Sequence, residues 1–256
     1  MNNFAKEVQL RILENSKNTS LVEAANLFMQ ESTAPKYSYN FSWLGRPIIQ
    51  YPQDIVAIQE LIWKVKPDLI IETGIAHGGS LILSASILAL LDLTDFIQIK
   101  SDGEQFKLKR QVIGIDIDIR EVNKIAIEQH PLASKIEMIE GSSVDSEIID
   151  KVRGIASQYK NVMVILDSNH THDHVLSELR AYADLVSVGS YCVVFDTVIE
   201  YMPEGTYPDR PWNPGNSPKS AIDEFLTADS NFKIDKEINN KLLISVAHDG
   251  YLKRVK

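Results

Sequence analysis

Short runs of Val, Ile and Leu alternate with longer amphipathic segments along the middle of the chain, and this alternation restricts the fold more than any other feature. The five apolar runs are Asp68–Glu72, Gln111–Asp116, Ile136–Glu140, Val162–Asp167 and Tyr191–Asp196. Segments of helical periodicity separate them, at Ser80–Leu91, Arg120–Gln129, Ser146–Tyr159 and His174–Tyr182. Near-continuous apolar strands joined by helices are typical of a parallel sheet that is covered on both faces. The sequence therefore predicts an α/β fold with a doubly wound, mostly parallel, Rossmann-like sheet.

The two ends of the chain depart from this alternation. Residues 1–50 predict an N-terminal extension of helices followed by an aromatic stretch, Tyr37–Trp43. A helix that begins at Pro52 and stops before Pro67 opens the main domain, residues 51–256. Residues 94–110 predict a polar connection, and residues 200–220, rich in Pro, Gly and aromatic side chains, predict a lid loop. Lys241–Ala247 and Gly250–Val255 predict a terminal antiparallel β-hairpin.

Composition excludes several classes of protein. The chain has 256 residues, a formal net charge of −9 and one cysteine, Cys192. A single cysteine leaves no internal disulfide framework and no cysteine-based zinc cluster. The acidic balance argues against a nucleic-acid partner, which requires clustered Lys and Arg. The N-terminus lacks a signal-peptide core, and the longest apolar run, Leu81–Leu93, is too short for a membrane span. We therefore expect a cytoplasmic protein without a membrane span.

Three successive strand ends carry residues suited to an adenosine-type cofactor. The first ends in Glu72-Thr-Gly74-Ile-Ala-His77-Gly78-Gly79-Ser80, a glycine loop that opens a helix. The second ends in Asp116, an acid that can accept hydrogen bonds from ribose hydroxyls. The third ends in Glu140-Gly-Ser-Ser143, whose small polar residues suit an adenine edge. The glycine loop differs from the nicotinamide fingerprint, and together with the terminal hairpin it favours S-adenosylmethionine over NAD. His77 either contacts the cofactor or caps the helix.

Acidic residues end the fourth and fifth strands. Asp167 and Asp196 are expected side by side, and two facing carboxylates are costly unless a cation or a shared proton joins them. Oxygen ligands favour Mg²⁺ or Ca²⁺ over zinc. His170, three residues beyond Asp167, is a candidate general base for a substrate hydroxyl. Alone, either aspartate could instead cap a helix. His172 and His174 are predicted to be surface or supporting residues, because alternate positions on a helix point in different directions.

These motifs resemble those of the cephalosporin hydroxylase family, which includes rhamnosyl O-methyltransferases. The resemblance runs from Trp43 to Arg254 and rests on IIETGIAHGGS, VIGIDID, EGSS, VILDSNHTHDHV, VVFDTVIE, DRPWNPGN and GYLKR. It implies the fold of class I S-adenosylmethionine-dependent methyltransferases. It also places Glu72, Gly74, Gly78, Ser80, Asp116, Ser143 and Asp167 against the cofactor.

The metal site implied by the resemblance is similar to that of catechol O-methyltransferase. There an Asp-x-x-Lys and an Asp-Asn follow the fourth and fifth strands, where this chain has Asp167-Ser-Asn-His170 and Asp196-Thr197. Some sugar methyltransferases place Glu-Asp where this chain has Phe195-Asp196. Asp167 and Asp196 are then metal ligands and His170 is the base. Thr197, Glu200 and water are the candidates for a third ligand, and Mn²⁺ or Ca²⁺ are alternatives to Mg²⁺.

The predicted function is metal-assisted O-methylation of a sugar hydroxyl on a nucleotide sugar, glycoside or glycan. Lid residues Tyr201, Tyr207, Arg210 and Trp212 are the expected substrate contacts. One alternative is an oxygenase, although the chain lacks the His-x-Asp or His-x-Glu of a non-haem iron site. The other is a non-catalytic, cofactor-binding partner of a second enzyme. The aromatic stretch Tyr37–Trp43 suggests a subunit contact and a homo-oligomer.

Overall fold

A computed structural model describes residues 3–99 and 109–256 of the chain. Its helices α1 to α9 are Asn3–Asn15, Thr19–Thr33, Pro52–Val65, Gly79–Ile99, Glu121–Glu128, Ser146–Ala156, His172–Tyr182, Pro218–Ala228 and Lys236–Leu242. Its strands β1 to β9 are Phe41–Trp43, Arg46–Ile48, Leu69–Thr73, Gln111–Asp116, Ile136–Glu140, Val162–Leu166, Tyr191–Val194, Phe232–Ile234 and Tyr251–Arg254.

Seven of these strands form one sheet in the order β5-β4-β3-β6-β7-β9-β8. The first five are parallel, and β9 joins antiparallel between β7 and β8. Chain order reverses beside β3, so the carboxyl ends of β3 and β6 flank the crevice where ligands bind in open sheets. The predicted doubly wound, mostly parallel sheet is confirmed.

Apolar side chains cover both faces of this sheet. Successive strand residues point to opposite faces: in β3, Ile70 packs with α3 and α4, whereas Leu69 and Ile71 pack with α6, α7 and α8. Burial of every residue of β3 and β6 explains why these strands read as continuous apolar runs. The rigid centre of the sheet thus fixes the loops at its carboxyl edge.

The predicted terminal hairpin has the wrong partner strand. The strand beside β9 is Phe232–Ile234, and helix α9 lies between the two. Lys241 and Leu242 lie in the last turn of that helix, and residues 243–247 form a bend followed by a turn. The turn is held by buried Asp54 of α3, which accepts hydrogen bonds from the Ser245 hydroxyl at 2.6 Å and the Val246 amide at 3.0 Å. Tertiary contacts therefore override the β propensity of this segment.

Helix α4 is longer than predicted and reaches Ile99, so the first part of the predicted polar connection 94–110 is helical. Residues 100–108 of that connection lie outside the described residues. By length and composition, the stretch Gly79–Gln98 meets the criteria for a membrane span, and half of it is buried inside the fold. Buried core helices of globular proteins meet the same criteria.

The aromatic stretch before α3 packs within its own chain. The Tyr37 ring lies edge-on to Phe28 and Phe41, at centroid distances of 5.3 and 5.2 Å. Trp43 Nε1 donates a hydrogen bond to Ser86 Oγ of α4 at 3.0 Å. These contacts use Tyr37, Phe41 and Trp43, whereas Tyr39 of the same stretch is 53% exposed, and the homo-oligomer stays a prediction.

Candidate active site

The glycine loop after β3 lies against the end of β6. Gly74 has φ +90°, and a Cβ there would lie 2.0 Å from the Asp167 carbonyl oxygen. Asp167 in turn donates its amide hydrogen to the Thr73 carbonyl at 2.9 Å. Only glycine fits this backbone approach, because any side chain would separate the two strand ends.

We expect Gly74→Ala to abolish detectable cofactor binding and to lower the unfolding temperature. The new methyl group meets backbone rather than a flexible side chain, and alanine is strained at positive φ. Gly154→Ala is the matched control, because it lies in α6 and a methyl group added there has no heavy atom within 4 Å. That substitution should leave binding unchanged and stabilise the helix by about 0.5–1 kcal/mol. Calorimetric titration and thermal melts of both variants test this, and normal binding by Gly74→Ala would contradict it.

Glu72 is the buried acid at the head of the loop. Burial raises its pKa to about 7, although a hydrogen bond from the Ser80 hydroxyl opposes the rise. Its second oxygen, Oε2, is buried without a hydrogen-bond partner among the described residues. Gln50 was missed by the sequence analysis: it is 3% exposed, and its Oε1 also lacks a partner there. Two unsatisfied acceptors fit a ligand that brings a cationic N–H donor.

Residues outside the glycine loop hold its backbone in place through hydrogen bonds. Arg46 donates two hydrogen bonds to the His77 carbonyl, at 3.0 and 2.7 Å, and Asn123 donates to the Ala76 carbonyl at 2.8 Å. Neither residue was predicted, since each acts through main-chain atoms that a sequence pattern does not reveal. His77 lines a cavity beside the loop together with Gln50, Gly74, Ser80 and Asp167.

The predicted ribose acid also supports this loop. Asp116 Oδ2 accepts from the Ile75 and Ala76 amides at 2.8 and 3.3 Å, and Oδ1 accepts from the Asp118 amide. A carboxylate has about four acceptor positions. Capacity for a ribose hydroxyl therefore remains, although for fewer hydroxyls than the sequence suggests. Gly78 has φ +80° and packs on Ile127, which leaves no room for a side chain.

Asp167, His170 and Asp196 converge at the ends of β6 and β7. One ligand atom from each lies within 4.8 Å of the others, and all three are partly buried. Loss of solvent and the negative charges of Asp196 and Glu72 raise the pKa of Asp167 well above its usual value. His170 Nε2 lies 3.5 Å from Asp196 Oδ2. The strand ends thus bring together the predicted metal ligands and the predicted base.

The backbone conformation at Asp196 allows its side chain to lie beside Asp167 and His170. Asp196 has φ +56° in the left-handed region, which aspartate and asparagine tolerate better than most residues. The preceding Phe195 is 1% exposed and belongs to the core. An acid at position 195 would thus face apolar side chains. This chain therefore has a single acid, Asp196, where some sugar enzymes have Glu-Asp.

The predicted candidates for a third protein ligand are engaged elsewhere. The Thr197 hydroxyl donates to the carbonyls of His248 and Val246 at 2.6 and 3.3 Å and thereby fastens the turn before β9. Glu200 accepts from the Gly215 amide at 2.9 Å and from the Ser217 hydroxyl at 2.5 Å. The His170 imidazole is the side chain that lies beside the two aspartates, with one nitrogen within 4.8 Å of an oxygen of each.

Among the four predicted lid residues, Trp212 contacts this centre directly. The Trp212 ring lies edge-on to His170, with centroids 4.8 Å apart. Tyr207 is partly buried, and burial followed by the nearby charge of Asp196 raises its pKa to about 12. Arg210 stacks over Trp212 at 5.1 Å. Tyr201 lies apart, against His248 and Asp249.

His172 anchors the end of the lid loop. Its amide donates to Asn216 Oδ1 at 2.9 Å, and its Nδ1 lies 2.9 Å from the Ser220 hydroxyl. The sequence predicts a surface or supporting residue at this position, and these contacts give His172 the supporting role. Ser143, the predicted adenine contact, is buried with His174 and Glu178.

Comparison with known proteins gives a family and a fold. Residues 35–255 match the family model described as Rhamnosyl O-methyltransferase/CmcI. A rhamnosyl O-methyltransferase of Mycobacterium tuberculosis H37Rv is 28% identical over 243 residues, covering 90% of this chain and 89% of that protein. One from Mycobacterium leprae is 27% identical over 157 residues, covering 61% of this chain and 60% of that protein. A solved structure of CmcI with Mg and SAM has a TM-score of 0.54 at 20% identity, covering 85% of this chain and 78% of the other.

Proposed function

The chain belongs to the rhamnosyl O-methyltransferase/CmcI family, and on that premise we propose that it methylates a sugar hydroxyl with S-adenosylmethionine and a divalent metal ion. The observation that carries the proposal is the convergence of Asp167, His170 and Asp196 directly beside the glycine loop. A methyl donor on the loop and a hydroxyl on the acidic centre would then be neighbours. Proximity of this kind supplies much of the rate of a group transfer.

The donor set favours a hard cation. The oxygen donors of two carboxylates suit Mg²⁺ or Mn²⁺, whereas the non-haem iron oxygenases use two histidines and one carboxylate. The oxygenase alternative therefore has less support from this centre. Asp167 and Asp196 would hold the ion, and their close approach becomes favourable once a cation lies between them.

The cofactor would supply the methyl group, and the metal ion would supply the charge that acidifies a bound hydroxyl. His170 would accept the hydroxyl proton at Nε2, which faces Asp196. Asp196 Oδ2, 3.5 Å from that nitrogen, would stabilise the imidazolium that forms, and the Trp212 ring packs against the imidazole. The adjacent lid loop would exclude water from the reacting atoms.

The cofactor fits the residues around the loop. Glu72 Oε2 and Gln50 Oε1 offer unsatisfied acceptors for the ammonium group of its methionine part. Asp116 retains capacity for a ribose hydroxyl. Ile117, which follows it, is 72% exposed and offers an apolar surface for an adenine ring. This exposed isoleucine was missed by the sequence analysis, although a large apolar residue directly after a strand-end acid is a usable signal.

A methyl-transfer screen tests the proposed function. Purified protein would be incubated with labelled S-adenosylmethionine and with rhamnosides, nucleotide sugars, other glycosides and glycans, with Mg²⁺ or with EDTA. We expect a methylated sugar only when metal is present. Cofactor binding without turnover on any sugar would instead favour the non-catalytic partner, and iron-dependent oxygen uptake would favour the oxygenase.

Cofactor affinity should rise with pH up to about 7 and then level off. The pKa of Glu72 is raised to about 7 by burial, so the free protein holds a proton there in mildly acidic solution. An ammonium donor favours the ionised carboxylate, so binding releases that proton below pH 7. The expected slope is up to about tenfold in affinity per pH unit, as for a single linked proton.

Titration calorimetry of S-adenosylhomocysteine from pH 5.5 to 8.5, in buffers of different ionisation enthalpy, measures both effects. Glu72→Gln should flatten the pH dependence, because no titrating group remains at that position. Glu128→Gln, at an exposed site on α5, should keep it. A pH dependence that survives Glu72→Gln would show that another group binds the proton.

A further inference from the structure

A buried carboxylate lies beneath the adenine end of the proposed cofactor site. Glu178 of α7 is 0% exposed. Its Oε1 accepts hydrogen bonds from two serine hydroxyls, Ser143 at 2.6 Å and Ser168 at 2.7 Å. These serines follow β5 and β6, the strands on either side of the β4-β3 pair that carries the ribose acid and the glycine loop. The Glu178 side chain thus fixes the direction of hydroxyl groups from two loops at the ligand-binding edge of the sheet.

The hydrogen count around this carboxylate fixes the direction of each hydroxyl. A serine hydroxyl has one proton and two acceptor positions. Both protons point to Glu178, so each hydroxyl acts only as an acceptor towards its other neighbours. His174 Nε2 lies 3.2 Å from both serine oxygens and 3.4 Å from Glu178 Oε1. Because these neighbours offer it only acceptor positions, Nε2 must carry a hydrogen.

Further contacts make Ser143 rigid. The Tyr182 hydroxyl donates to the Ser143 carbonyl at 2.5 Å, so the backbone is held as well as the side chain. Glu178 Oε2 is buried with no partner among the described residues, which makes the carboxylate costly in stability. An apolar side chain at this position would avoid that cost. The cluster therefore orders the two hydroxyls at a cost in folding stability.

We propose that Glu178 is a positioning residue that selects a 6-amino purine by making the Ser143 hydroxyl an obligate acceptor. The inference rests on the proposed function and on the predicted contact between Ser143 and the adenine edge of the cofactor. Adenine presents an N–H donor at position 6, which matches an acceptor. Hypoxanthine presents a carbonyl oxygen at the same position, and two facing acceptors repel each other. The Ser168 hydroxyl, whose proton also points to Glu178, is likewise an acceptor towards the neighbouring loop.

Calorimetric titration with S-adenosylhomocysteine and its hypoxanthine analogue tests the inference. The wild type should prefer the adenine ligand by at least about tenfold, the order of a lost hydrogen bond together with an unpaired acceptor. Glu178→Met removes the acceptor and frees both serine protons, so the preference should fall to within about threefold. Glu178→Gln keeps an amide oxygen that accepts the same protons, so it should retain the preference.

Two more variants separate positioning from folding. Tyr182→Phe removes a buried hydrogen bond beside Ser143 without changing the hydroxyl direction, so it should lower the unfolding temperature and keep the preference. Ser143→Ala should abolish the preference even if Glu178→Met fails to fold. The inference is overturned if Glu178→Met or Ser143→Ala retains the full preference, or if Glu178→Met weakens both ligands equally. Wild-type protein that binds neither ligand would refute the proposed function itself, and binding without preference refutes only this inference.

Discussion

Replacing Asp167 by asparagine is expected to lower kcat/KM for methyl transfer by about a thousandfold or more. Asparagine keeps the shape of the side chain and the backbone contact with Gly74 but removes one of two charges that would hold the cation. Metal ions contribute several kcal/mol to the stabilisation of developing charge, and each 1.4 kcal/mol corresponds to about a factor of ten in rate. Initial rates with saturating Mg²⁺ and a responsive sugar acceptor measure the loss.

Two further variants test whether the loss of activity comes from the acidic centre. Asp196→Asn keeps a residue type that tolerates the left-handed backbone at this position, so it should fold and lose activity to a similar degree. Asp173→Asn removes a carboxylate at the start of α7, outside the acidic centre, and should change nothing. Binding of S-adenosylhomocysteine should stay within about tenfold of the wild type in all three, the order of one hydrogen bond. Full activity of Asp167→Asn in EDTA would refute metal assistance.

Replacing His170 by glutamine is expected to lower kcat by about a hundredfold to ten-thousandfold, the usual range for loss of a general base. Glutamine occupies similar space beside Trp212 but cannot accept the hydroxyl proton. Affinity for the cofactor should not change, because no contact joins His170 to the glycine loop among the described residues.

Metal affinity distinguishes a base from a ligand at this position. His170 lies within ligand distance of both aspartates, so both roles are geometrically open. If it acts as the base, His170→Gln should bind Mn²⁺ nearly as well as the wild type, whereas Asp167→Asn should bind it much more weakly. His130→Gln, a histidine held by the Leu44 carbonyl, serves as the imidazole control. Equal loss of Mn²⁺ affinity in His170→Gln and Asp167→Asn would assign the imidazole to the metal.

The centre of the sheet could be predicted from the sequence because burial on both faces leaves a clear apolar signal. Strands β4 and β5 have the predicted bounds, and β6 ends one residue early because Asp167 leaves the ladder. The prediction of a closing strand at Lys241–Ala247 was wrong because a distant contact, rather than local burial, determines the structure there. Residues 243–247 are apolar enough for a strand, yet Asp54, almost two hundred positions earlier, holds them in a turn.

The same distinction applies to the candidate site. Asp167 and Asp196 could be placed together because parallel strands end at one edge of a sheet. The path of the lid loop could not be predicted, so nothing in the sequence separates Trp212, which reaches His170, from Tyr201, which does not. Gln50 and Glu178 were also missed, because an unsatisfied or shared hydrogen bond is visible only in three dimensions.

The contact between Gly74 and Asp167 should couple binding of the cofactor to binding of the metal ion. The wall of the glycine loop and the backbone of Asp167, the proposed metal ligand, touch with no side chain between them, so neither can shift alone. Occupancy of one site should therefore change affinity at the other. Thermodynamic reciprocity requires that the factor by which the metal tightens cofactor binding equals the factor by which the cofactor tightens metal binding. Release of the product would in turn change the affinity for the ion, by the coupling factor that belongs to the product itself, so each catalytic cycle would alter both sites together.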